Sequence, residues 1–362
     1  KLQVTPLEMA GSVLVGGYPG LDPEPRVAQA LAEGTLGGVT LFRRNIESPE
    51  QVRRTLLELS ARCRADAPPL FAIDQEGGRV ARLHPPFLKL PPMRELGERD
   101  DVELTEEAGR VLGEQLRAVG VTMDFAPVLD VDTNPDNPVI GDRSFSRDPE
   151  QVARHGMAFA EGLRKGGCLS CGKHFPGHGD TDQDSHFDLP SLPHDLERLR
   201  RVELLPFRAG ARLPAFMTAH VLFPALDAER PATLSRRVLT DLLREELGFS
   251  GVIISDDLEM KAVSRRWSLA ESSRLAIEAG ADVLLVCSDV DGLFEARQAL
   301  ADHATHDAAF AARLEDAAHR ALALRRSCPP QPLKSAAELE ALLGSERARR
   351  LEQKLAASGG EA

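Results

Sequence analysis

The chain has no apolar run approaching the roughly 18 residues that span a bilayer, and its opening stretch, Lys1 to Pro6, has no apolar signal-peptide core. A membrane association is therefore not expected, and a cytoplasmic location is. Basic residues are in deficit: 44 lysines and arginines against 56 aspartates and glutamates leave a formal charge of −12. Nucleic acids and anionic membranes both want a basic face, so neither is an expected partner. Cysteines are few, odd in number and scattered, at Cys63, Cys168, Cys171, Cys287 and Cys328. That pattern suits reduced thiols better than a disulfide framework. Cys168 and Cys171 have the CxxC spacing, but no second pair exists to complete a zinc site and both fall in an apolar run, so they read as buried thiols. No Gly-x-Gly-x-x-Gly follows the first apolar run, which leaves an open dinucleotide-binding sheet without support. No internal repeat is visible.

What the chain does have is alternation. Short apolar runs occupy residues 11–17, 38–42, 70–74, 121–131, 168–175, 215–222, 252–256 and 282–287. Most are too short for helices and several are rich in Val and Ile, so they read as buried strands. Between them lie amphipathic stretches with helical spacing, among them 49–64, 102–119, 149–165, 195–210, 235–247 and 269–279. Leu56, Leu59 and Cys63 form one apolar stripe. Pro49 and Pro149 stand where a first helical turn tolerates proline, and Gly120, Gly166, Gly248 and Gly280 where a helix stops. Eight strand–helix repeats predict an α/β fold, a single-domain (β/α)8 TIM-like barrel over 1–328. Residues 329–362, rich in Ala, Glu, Arg and Leu, read as a C-terminal helical extension. Pro329, Pro330, Gln331 and Pro332 would be its hinge, and 358–362 a frayed end.

In such a barrel the functional groups gather at the C-terminal ends of the strands. The polar residues obey this rule. Asp74 ends the third run, Asp130 and Arg143 follow the fourth, Lys173 and His174 lie at the end of the fifth, His220 is late in the sixth, and Asp256 ends the seventh. The densest stretch runs from Lys173 to Thr181 and on to Asp184, Ser185 and His186. Pro176, Gly177 and Gly179 force an irregular loop there, so His174 and His178 are not one helical turn apart as on a zinc-binding helix. Asp184 and His186 are close enough for a carboxylate to orient an imidazole. A metal centre drawn from His174, His178, His186, Asp180 and Asp184 was weighed. No His-x-His pair marks the first strand, where such a site often begins, and no metal or other cofactor is expected.

The string KHFPGHGDT…DSH, with DQEGGRV at 74–80, FAPVLDV at 125–131, GDRSF at 141–145 and ISDDLEM at 254–260, resembles family 3 glycoside hydrolases of the bacterial β-N-acetylglucosaminidase type. The five segments keep the family's order and cover residues from about 10 to about 330. The resemblance implies a retaining exo-β-N-acetylglucosaminidase acting on peptidoglycan-derived fragments through a covalent glycosyl–Asp intermediate. It implies Asp256 as nucleophile and His186 with Asp184 as acid–base dyad. Asp74, Arg82, Arg143, Lys173 and His174 would hold the sugar. Asp257 would take the structural role in the Asp-Asp pair, as a helix cap, while His178 and Asp180 would brace the loop. The expected partner is a small carbohydrate, and the chain is expected to act as a monomer. Alternatives are a β-glucosidase or a phosphorylase of the same family, or an inactive barrel that only binds sugar.

Overall fold

A computed structural model describes residues 4–331 and 334–357. Pro332 of the expected hinge and the expected frayed end at 358–362 lie outside the described residues. Each apolar run supplies one strand: β1 Leu14–Gly16, β2 Gly38–Leu41, β3 Leu70–Ile73, β4 Met123–Asp124, β5 Gly172–Phe175, β6 Ala215–Thr218, β7 Val252–Asp257 and β8 Val283–Leu285. All neighbouring strands pair in parallel, in the order β4-β3-β2-β1-β8-β7-β6-β5. The ring closes where β4 meets β5. There Asp124 N donates to Leu169 O at 2.9 Å, Cys171 N to Ala126 O at 2.8 Å and Leu129 N to Lys173 O at 2.7 Å. Pro127 has no N–H to contribute, so pairing across this join is interrupted. The result is the expected (β/α)8 barrel.

Side chains alternate along each strand, and they divide the core in two. Val15, Ala72, Met123, Phe125, Cys171, Met217, Ile254 and Leu285 fill the inside of the ring, among others. A larger cluster, including Val39, Phe71, Ile73, Phe216 and Ile253, packs the outer face under the helices. The buried Cys168 and Cys171 are free thiols, as the sequence predicts.

The helices depart from expectation in instructive places. Residues 11 and 12, read as part of the first strand run, belong instead to a helix over Pro6–Ser12, started by a reciprocal cap in which Thr5 Oγ1 accepts Glu8 N and Glu8 accepts Thr5 N. The predicted helix 195–210 is two, Leu196–Arg201 and Leu205–Ala209. Pro206 removes an N–H that a continuous helix would need one turn back, so the chain breaks before it and restarts with the proline in its first turn. Residues 237–246 coil with π rather than α spacing. At the end of Pro149–Lys165 the left-handed residue is Gly167, φ 88°, rather than Gly166. The chain finishes in helices Ala336–Leu343 and Glu346–Ala357, which lie against Val102–Ala118.

Candidate active site

The strand ends and the loops after them surround a cavity of about 310 Å³. Of the expected site residues, Asp74, Arg82, Arg143, Lys173, His174, His186 and Asp256 line it, and Asp184 stands behind His186. Asp74 follows β3 directly. The next turn doubles back through Gly77 and Gly78, whose φ angles of 122° and 55° suit residues without a Cβ. Gln75 closes this turn. Its Oε1 accepts the amides of Arg82 at 2.8 Å and Leu83 at 3.0 Å, and its Nε2 donates to Leu83 O at 3.0 Å. Arg82 is thereby delivered to the cavity wall, 3.8 Å from Asp74 and over the Phe42 ring.

Charges in the floor are paired within the protein. Lys173, the second residue of β5, lies 2.9 Å from Asp74 and 2.7 Å from Glu76. Arg143 grips Glu76 with two bonds, Nε to Oε2 at 2.9 Å and Nη2 to Oε1 at 2.7 Å. Glu76 is fully buried. Burial pushes its carboxyl up, but Arg143 and Lys173 prevail and hold it far below the usual carboxylate range. Burial likewise disfavours the charged Lys173, yet Asp74 and Glu76 raise its pKa overall. Glu76 is the component of the site that the sequence reading left out. Its position two residues after Asp74, the side-chain period of extended backbone, was the available signal.

Histidines are oriented by their neighbours. His174 Nδ1 lies 2.7 Å from Asp130 Oδ2, and Asp130 Oδ1 accepts the amides of His174 at 3.2 Å and His178 at 2.8 Å. His174 can therefore donate Nδ1–H to Asp130 and present Nε2 to the cavity. His186 Nδ1 lies 2.7 Å from Asp184 Oδ1, which also accepts the His186 amide at 2.8 Å. Asp180 does not reach the cavity. Thr133 donates to it at 2.7 Å and His194 lies 2.6 Å away, tying the loop after β5 to the loop after β4. His174, His178 and His186 all border the cavity, but their ligand atoms do not form a group with metal-ligand spacing. Among the described residues the grouping with ligand-like spacing is Asp180, His194 and Glu203, where Arg198 already lies 3.0 Å from Glu203.

Asp256 and Asp257 end β7 in contrasting surroundings. Burial acts to raise the Asp256 carboxyl, but His220, His174, the Asp257 amide and Lys173 outweigh it and hold the pKa below its ordinary value. Asp257 is turned to the backbone, accepting Glu259 N at 3.1 Å and Cys287 N at 3.4 Å. Burial first, then Glu259, pushes its pKa up to about 7. His220 spans the two sides of this strand end, 2.7 Å from Thr233 Oγ1 and 2.8 Å from the Asp257 carbonyl.

Asp256, whose surroundings favour its anion, and His186, paired with Asp184, thus face one cavity with Asp74, Lys173, Arg143 and His174 around it. Comparison with known proteins gives the family. A beta-hexosaminidase of Neisseria meningitidis serogroup C is 44% identical over 281 residues, 75% of this chain and 76% of that protein. The structure of a family 3 β-N-acetylglucosaminidase from Paenibacillus sp. superposes with a TM-score of 0.90 at 38% identity, covering 96% of this chain and 68% of that one. The structure of NagZ from Neisseria gonorrhoeae with N-trifluoroacetyl-D-glucosamine gives 0.77 at 34% identity, covering 95% and 97%. The family model for the glycosyl hydrolase family 3 N-terminal domain matches residues 5–324, and the chain belongs to that family.

Proposed function

We propose that the chain is a retaining exo-β-N-acetylglucosaminidase that removes the non-reducing GlcNAc from β-1,4-linked cell-wall fragments. The observation that carries this reading is the Asp184–His186 pair, 2.7 Å apart, at the mouth of the cavity that Asp256 lines. The relatives support it: two are named for hexosamine cleavage, and a third holds a GlcNAc analogue.

In this reading Asp256 attacks the anomeric carbon as the bond to the aglycone breaks. His186, as imidazolium, gives its Nε2 proton to the departing oxygen. The neutral imidazole then takes a proton from water, whose oxygen displaces Asp256. Two inversions retain the configuration. Asp184 orients the ring and stabilises the imidazolium. The basic form of imidazole is uncharged, so it works beside Asp256 without the repulsion that two carboxylates feel. Asp74 accepts hydrogen bonds from hydroxyls, Arg82, Arg143 and Lys173 donate to hydroxyls and the N-acetyl carbonyl, and His174, its Nδ1–H held by Asp130, accepts a hydroxyl hydrogen bond at Nε2. Residues 1–328 carry the catalysis, with 329–362 as an outer extension. The setting is peptidoglycan recycling in the cytoplasm, by a monomer; five unpaired cysteines suit a reducing compartment.

An acid matters most where the leaving group is poor. A dinitrophenolate departs with little help, whereas a sugar hydroxyl needs a proton. His186→Ala should therefore slow glycosyl-enzyme formation from GlcNAc–MurNAc by roughly 10²- to 10⁴-fold, and from dinitrophenyl β-GlcNAc far less. Single-turnover kinetics on both substrates measure this. Equal losses would mean that His186 only holds the sugar. Added phosphate should leave the rate unchanged; acceleration with a glycosyl phosphate product would replace hydrolysis by phosphorolysis.

A further inference from the structure

The two residues assigned to proton transfer stand on a solvent-facing turn. The His186 side chain is 59% exposed and that of Asp184 is 23% exposed. The residue between them is not: Ser185 is 2% exposed. Its hydroxyl and its carbonyl are both engaged by the barrel mouth. The hydroxyl lies 3.0 Å from His178 Nε2, and the carbonyl accepts Ala262 N at 3.2 Å. Other hydrogen bonds of residues 182–188 stay within the turn or its neighbour Leu189: the His186, Phe187 and Asp188 amides all go back to Asp184. Among the described residues, the hydrogen bonds that fasten this turn to the rest of the molecule thus pass through Ser185.

The two anchors are themselves rooted in the site. His178 N donates to Asp130 Oδ1 at 2.8 Å, and Asp130 also orients His174. Ala262 belongs to the short helix Lys261–Ser264, which follows the strand that ends in Asp256 and Asp257. Proton counting gives the direction of the hydroxyl bond. Thr181 Oγ1 has one hydrogen, and the His178 carbonyl takes it at 3.1 Å. With its hydrogen so placed, that oxygen accepts from His178 Nδ1–H, 2.8 Å away, and Nε2 keeps a lone pair. Ser185 donates into that lone pair. Burial pushes the His178 pKa down to about 4, so the ring remains an acceptor near neutrality.

We propose that Ser185 is a positioning residue for the acid–base dyad, a two-sided clip that sets His186 against the segment carrying the nucleophile while the rest of the turn stays free for the substrate to pass. This rests on the assignment of His186 as proton donor. Ser185 borders the cavity, but its hydroxyl and carbonyl are taken by His178 and Ala262; its effect is on where the imidazole stands. A displacement of about 1 Å at a reacting group is enough to cost on the order of 10²-fold.

The test compares Ser185→Ala, Ser185→Thr and His186→Ala in the full chain, with single-turnover rates on GlcNAc–MurNAc and dinitrophenyl β-GlcNAc. Ser185→Ala should lose about 10- to 100-fold on the disaccharide and less than about threefold on the activated glycoside, with little change in KM for either. Ser185→Thr keeps the hydroxyl and should restore most of the disaccharide rate. If Ser185→Ala does not fold, Ser185→Cys keeps the size while weakening the donor and is read in the same way. Near-wild-type rates on both substrates, or equal losses on both, would overturn the clip. A leaving-group split in His186→Ala without one at Ser185 rejects the clip alone; no split in His186→Ala rejects the acid assignment beneath it.

Discussion

Asp256 and Asp257 share a peptide bond and little else. The first is surrounded by histidines and a lysine that favour its anion; the second is buried beside Glu259, which opposes its ionisation. The sign of the second effect is open to measurement. In the unfolded chain Asp257 titrates near 3.8 and in the folded protein at about 7. Folding therefore favours the protonated form. Its contribution is full below the unfolded pKa and is lost as pH rises through about 7. Asp257→Asn keeps an oxygen for the Glu259 and Cys287 amides but cannot ionise. The difference in melting temperature between about pH 5 and about pH 8 should shrink in the variant, while most activity remains. An unchanged difference would show that the carboxyl is not protonated in the fold. At this scale the gathering of the candidate residues was legible: family-like motifs point to Asp256, Asp184 and His186, and the structure sets Asp256 and His186 on one cavity with Asp184 beside the imidazole. Glu76 could not be weighed the same way, because what gives it its role is Arg143, 67 positions away. A carboxylate three residues past a strand reads equally well as surface until its cations are known.

Elements were legible where packing and local preference agree. Each of the eight strands lies in an apolar run, because both faces of a barrel strand are covered. The runs extend beyond the strands wherever buried chain continues in irregular form, as after β4, where residues 126–129 still bond to the β5 segment. The 195–210 helix was misread because its apolar spacing continues through the break that Pro206 imposes. Loop geometry was the least legible, since it depends on contacts between segments distant in sequence. Gly179 illustrates this. A Cβ there would meet Val131 O at 1.8 Å, so the loops after β4 and β5 touch backbone to backbone. Gly179→Ala must push them apart and strain the bonds from Thr133 to Asp180 and from Asn137 to the His178 carbonyl. The expected cost is about 1–3 kcal/mol in denaturant unfolding. Activity should fall on good and poor leaving groups alike, because the whole loop moves. An alanine variant with native stability and rates would mean that these loops separate freely.

Over the whole molecule, the two terminal helices test which contacts hold an outer layer in place. Arg347 reaches Glu107 with bonds of 2.7 and 3.0 Å and Glu114 at 3.1 Å, but its side chain is 37% exposed. Such a bridge is worth about 0–1 kcal/mol. Leu351, on the same helix, is 2% exposed within the main core. Leu351→Ala should therefore cost about 2–5 kcal/mol and Arg347→Ala less than about 1 kcal/mol; chemical denaturation of the two variants gives the comparison, and the reverse order would make the helix an electrostatic attachment. A different consequence follows from the cavity floor, where Lys173 and Arg143 are already matched by Asp74 and Glu76. Buried pairs like these are little affected by dissolved ions, and the paired Lys173 and Arg143 do little to attract a substrate from a distance. The chain as a whole carries a formal charge of −12, which sets the sign of its long-range field. A neutral chitin fragment should be indifferent to it, with kcat/KM flat as ionic strength rises. A fragment that carries peptide carboxylates is repelled on approach, so its kcat/KM should climb with added salt until the field is screened.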